Sequence, residues 1–100
     1  MRIAVNKDYG GFGLSKEAYR MLGIKWDGYG YLENKDLGIE SDNYLAYRTD
    51  ERLIKVIEEL GKKASGQMAC VVIIEIPDGI DFEIDNYDGI ETIHEKHRSW

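Results

Sequence analysis

Ile3 and Val5 share one side of the run Arg2–Asn6, a period of two that predicts a first strand. Gly10, Gly11 and Gly13 then interrupt regular structure. Ser15 follows as a good N-cap, with Glu17 in the first turn and Leu14 placed to staple onto Tyr19. The spacing predicts a helix over Lys16–Leu22, stopped by Gly23. A second helix has the stronger signal. Leu53, Val56, Ile57, Leu60 and Ala64 form one apolar stripe, and Arg52, Lys55, Glu58, Glu59 and Lys62 fall elsewhere. Thr49 or Asp50 caps it and Gly66 is its predicted stop. Gly61 weakens it by about 1 kcal/mol relative to alanine.

Ala69–Ile76 is apolar on both faces, which predicts a central strand covered on both sides, with Cys70 buried and inert within it. Pro77-Asp78-Gly79 ends that strand. Ile80–Asp85 alternates strictly, with Ile80, Phe82 and Ile84 inward and acids outward. Asp88-Gly89 is a hairpin signal, and Glu91–His97 reads as the returning strand, a terminal helix being the competing reading. The stretch from Ile24 to Asn43 is irregular. Within it Trp26–Leu32 reads as a turn and a short strand, and Asn34-Lys35-Asp36 as a tight turn. Tyr44–Arg48 reads as a short edge strand. The sum is an α+β fold: a mixed or antiparallel sheet of about four to five strands, two helices packed on it, and a C-terminal β-hairpin.

One hundred residues fit a single domain, 1–100, with one modest core. No apolar stretch approaches the roughly 20 residues of a membrane helix. Met1-Arg2 leads into no signal-peptide h-region, and Cys70 is the one cysteine, so a cytoplasmic protein without disulfides is expected. The net charge is −6 and uneven. Residues 1–50 carry seven basic and eight acidic side chains, whereas residues 51–100 carry six and eleven. Between Glu75 and Glu95 stand eight acids and no Lys or Arg, so a nucleic-acid polymer is not the expected partner. The bland account of that run is a solvated face.

Ile3-Ala4-Val5-Asn6-Lys7 with Gly10-Gly11-Phe12 and Leu14-Ser15 resembles the start of a family of small proteins of unassigned activity found in phages, prophages and some bacteria. Arg48-Thr49-Asp50 through Leu53, Val56–Gly61, Ala64-Ser65-Gly66, Val72–Pro77, Tyr87-Asp88-Gly89 and Glu95–Trp100 fit it as well. The likeness covers most of the chain and weakens between Trp26 and Asn43. It implies context and no catalytic residue: a phage or mobile-element origin points toward interference with host defence.

The candidate chemistry is binding, not catalysis. A strand, a glycine loop and a helix start can place an anion on bare backbone N–H groups, although the pattern is neither G-x-G-x-x-G nor a P-loop. Tyr9 and Phe12 flank Gly10 and Gly11 and could sandwich a base; the alternative is Phe12 in the core and glycines serving a tight connection. His97, Arg98 and Trp100 end the chain, where Arg98 could grip a phosphate and Trp100 could stack on a purine or dock as a latch. The leading expectation is a non-enzymatic phage protein that sequesters a small anionic, nucleotide-derived signalling ligand. Its site would be Tyr9, Gly10, Gly11, Phe12, Arg48, His97, Arg98 and Trp100. The alternative is an anti-CRISPR-like inhibitor that binds a host defence effector or nuclease through Trp26, Tyr29, Tyr31, Glu83 and Asp85. Neither reading needs a cofactor, metal or membrane. His94 with Glu91 or Asp88 could make an acid–base pair, and His94 and His97 with Asp85, Asp88 or Glu91 a metal site, but no spacing motif supports either. The tyrosine and tryptophan content favours a homo-oligomer.

Overall fold

The computed structural model of the chain describes residues 1–95. β1 (Arg2–Asn6) pairs antiparallel with β2 (Val71–Glu75), Asn6 opposite Val71 and Arg2 opposite Glu75. β3 (Phe82–Tyr87) and β4 (Ile90–Glu95) form a second antiparallel ribbon. The class is α+β with a C-terminal hairpin, as expected, but the four described strands fall in two two-stranded sheets. Asp88 at φ 51° and Gly89 at φ 94° make the two-residue turn that the Asp-Gly pair predicts.

α1 (Lys16–Leu22) has its expected bounds. Ser15 Oγ accepts from the Ala18 amide, and Gly23 closes the helix at φ 74°. α2 (Glu51–Leu60) is capped by Asp50 and ends earlier than expected. Gly61 turns to φ 57° and a 3-10 helix, Gly61–Ala64, carries the stripe's last residue into the core. That turn also anchors α1, because the Ser15 amide donates to the Ala64 carbonyl and Ser15 Oγ to the Lys63 carbonyl. Leu53, Ile54, Val56 and Ile57 of α2 pack with Ala18, Tyr19, Leu14, Ala4 and Val71 as one core.

Four expectations fail: the strands over Tyr44–Arg48 and Trp26–Leu32, the central place of Ala69–Ile76 and the burial of Cys70. Tyr44–Arg48 is no strand; Ala46–Thr49 is a 3-10 helix. The Leu45 amide donates to Asn43 Oδ1 and the Tyr47 amide to Asn34 Oδ1, so side chains have taken the donors a ladder would use. Asn34–Leu37 is likewise a 3-10 helix, and no strand forms over Trp26–Leu32. β2 is not central either. It pairs only with β1 among the described residues, Val72, Ile73 and Ile74 stay half-buried, and Cys70, just before the strand, is exposed. Ile73 packs on the helices, while alternation sends Cys70 to the opposite face.

Candidate functional site

The two glycine-bearing blocks far apart in sequence meet in space, and Asn6 joins them. This fully buried side chain donates from Nδ2 to the carbonyls of Asp8 and Gly89, both at 2.6 Å, and accepts from the Cys70 amide at 2.8 Å. The Gly10 amide donates to the Asp88 carbonyl at 3.2 Å. A Cβ on Gly89 would overlap the backbone nitrogens of Gly10 and Gly11, so the hairpin turn can sit there only as glycine. Gly10 and Gly11 have φ of 111° and 93°. Part of the glycine signal is therefore explained by this packing.

Beside that junction lies a buried ion pair. Arg48 comes from the 3-10 helix before α2 and Glu91 from β4; each is 3% exposed. Nη1 and Nη2 meet Oε1 and Oε2 at 2.6 and 2.8 Å, a bidentate fork. Nη1 also donates to the Ala4 carbonyl, and Glu91 Oε1 accepts the Asn6 amide at 2.8 Å. Both side chains thus satisfy the outer edge of β1. The guanidinium carbon stands 3.7 Å from the Phe12 ring centroid. Burial pulls the Arg48 pKa down, but the bonds to Glu91 together with the neighbouring Tyr47 more than offset it and hold it above the ordinary value. Burial pushes the neighbouring Tyr47 phenol up. Arg48 Nε is buried without a partner among the described residues.

An aromatic surface surrounds this core. The exposed Asp27 carboxylate accepts the amides of Tyr29 at 2.8 Å, Gly30 at 2.5 Å and Tyr31 at 3.1 Å. Its slight burial opposes ionisation, yet those three N–H bonds keep its pKa below the usual carboxylate range. The loop they order presents Tyr29 and Tyr31 as a stacked pair, 5.9 Å between centroids and 6° between planes. Tyr31 overhangs a groove of about 260 Å³ with Phe12, Tyr44, Leu45 and Ile84, floored by Arg48 and Glu91. A second groove of about 270 Å³ continues between Tyr44-Leu45 and Phe82, Glu83 and Ile84 of β3. On the other side of Tyr31, Gly10, Gly11, Tyr29 and Met68 line a smaller pocket of about 190 Å³.

The expected ligand residues are thus partly assembled. Gly10 and Gly11 share one pocket, Phe12 and Arg48 another, and Tyr9 is 59% exposed. Arg48 already has a carboxylate partner. His97, Arg98 and Trp100 lie outside the described residues. Of the expected partner residues, Tyr29, Tyr31, Glu83 and Asp85 are exposed. Trp26 is half-buried and meets Tyr19 edge-on at 5.1 Å, as part of the core. His94 does not pair with Glu91, which faces the other side of β4; its Nε2 lies 3.0 Å from Asp85 and 3.1 Å from Thr92 Oγ1. Among the described residues no cluster of three His, Cys, Asp or Glu is arranged to hold a metal. No described helix is long and apolar enough to cross a membrane. Sequence reasoning missed Asn6 and Asp27, and missed Glu91 as the partner of Arg48. A separation of 43 residues leaves no local signal for that pair. No protein-family model matches the chain, and neither a curated protein nor a solved structure matches it.

Proposed function

We propose that this chain is a non-enzymatic protein-binding module whose docking face is the tyrosine-lined groove beside the acidic hairpin. The observation that carries this reading is the exposure of Tyr29 at 73%, Tyr31 at 61% and Tyr44 at 77% on an ordered scaffold. Tyrosines held this way offer large contact area at low entropic cost, as partner-binding surfaces do. The anchoring of Tyr29 and Tyr31 by one carboxylate supports the same reading, since preorganisation lowers the cost of binding. The resemblance to small phage and prophage proteins makes a host defence effector or nuclease the partner class to test first.

A small anionic, nucleotide-derived ligand is the second reading. The pocket between the Gly10-Gly11 loop and the Tyr29–Tyr31 stack favours it, because exposed backbone and aromatic faces suit a phosphate and a base. The neutralisation of Arg48 by Glu91 weighs against a strong anion grip at the larger groove. Affinity purification from host cells, paired with native mass spectrometry, separates the two. The protein-binding reading expects one stoichiometric protein partner, lost when Tyr29→Ser and Tyr31→Ser are combined and the fold is intact by circular dichroism. A retained small molecule with no protein partner would replace it with the second reading.

A further inference from the structure

Two residues link β3 to β4, and Tyr87 lies opposite Ile90. In a two-residue hairpin that closing pair exchanges both ladder bonds, so Asp85 and Glu83 also turn their backbone toward β4. The N–H and C=O groups of Phe82, Ile84 and Asn86 therefore point along the outer edge of β3. Among the described residues no strand or side chain pairs with that edge. It is not open surface. Tyr44 and Leu45 stand across from Phe82 and Ile84 as the far wall of the groove. An unpaired strand edge facing an apolar wall is the arrangement to which an extended peptide adds as a further strand.

The two faces of β3 specify the occupant. Alternation sets the side chains of Phe82, Ile84 and Asn86 on the face toward the grooves and those of Glu83 and Asp85 on the other, where both are exposed, with Glu83 also lining the rim of the second groove. An added strand places alternate residues on those two sides. A second copy of this chain is disfavoured, because antiparallel self-pairing centred on Ile84 sets Glu83 directly against Asp85 of the other copy, twice. A partner with Lys or Arg at those positions meets the acids instead. We propose that β3 captures an extended segment of a partner protein in which basic residues alternate with apolar ones, the apolar side chains entering the groove. This rests on the protein-binding reading and specifies the partner's chemistry.

The test pans the full chain against a random nonapeptide library, then synthesises the enriched peptides. They should alternate Lys or Arg with apolar residues, and each should slow amide exchange at Phe82, Ile84 and Asn86. An antiparallel added strand bonds to Ile84 through the residues whose side chains enter the groove. N-methylation at the apolar positions should therefore weaken binding about tenfold or more, and at the basic positions by less than about threefold. The reverse pattern would keep strand addition and make it parallel. Combining Glu83→Lys with Asp85→Lys should turn the selected peptides acidic. No alternating pattern, equal sensitivity to both sets of N-methyl groups, or unchanged exchange at the three amides overturns the proposal. If it fails while the Tyr29 and Tyr31 variant still loses its protein partner, the docking face stands and the mode is wrong. If no protein partner exists at all, the reading beneath it falls too.

Discussion

Replacing Glu91 by leucine is the sharpest perturbation of this structure. Arg48 would remain charged, because a guanidinium has no route to discharge near neutral pH even after its carboxylate partner is gone. Its forked nitrogens would lose two bonds of 2.6 and 2.8 Å, and the buried Asn6 amide would lose its acceptor. Breaking one side of a buried pair costs about 3–5 kcal/mol. The orphaned amide adds about 1–3 kcal/mol. Against a typical domain stability of about 5–15 kcal/mol, Glu91→Leu should leave much of the population unfolded or with its hairpin detached. Arg48→Met combined with Glu91→Leu leaves no uncompensated charge and should be more stable than Glu91→Leu alone. Urea unfolding followed by circular dichroism, on wild type, both single variants and the double variant, measures the coupling. A loss below about 1 kcal/mol in Glu91→Leu would equate the pair with a surface salt bridge and refute its role in fixing the hairpin.

Gly89→Ala should cost more than Gly11→Ala in thermal melts, because at Gly89 a Cβ would overlap the Gly10 and Gly11 backbone, whereas at Gly11 the space is open and only the positive φ is strained. Gly30→Ala should also destabilise the protein by more than about 1 kcal/mol, since its Cβ would collide with the Leu14 carbonyl at a φ of 90°. Asp27 has a lowered folded-state pKa, so its contribution is present above the unfolded value of about 3.9 and fades as pH falls through the folded one. Stability measured by urea between about pH 5 and pH 2 should therefore fall less steeply in Asp27→Asn; identical slopes would show that the carboxylate does not order the Tyr29–Tyr31 loop.

Much was legible without coordinates because it is local. Ser15, Gly23 and the period of the intervening residues set α1, and Asp88-Gly89 set the hairpin turn, since caps and turns depend on near neighbours in sequence. The apolar stripe of α2 was readable for the same reason, and the exposure of Glu83 and Asp85 followed from strict alternation. Tertiary structure decided the rest. Whether Ala69–Ile76 would be central depended on how many strands joined it, which an apolar run does not encode. The 3-10 helix at Ala46–Thr49 depended on Asn34 reaching across 13 residues to take a backbone donor. Arg48 reads in sequence as a free cation for an anionic ligand; the fold brings Glu91 from 43 residues away and closes a bidentate pair on it. Such pairs arise from chain crossings, whose partners share no periodicity. The sequence therefore determined α1, α2, the hairpin and the wet face of β3, while only the packing of the hairpin against β1 decided which polar groups remain available to bind anything.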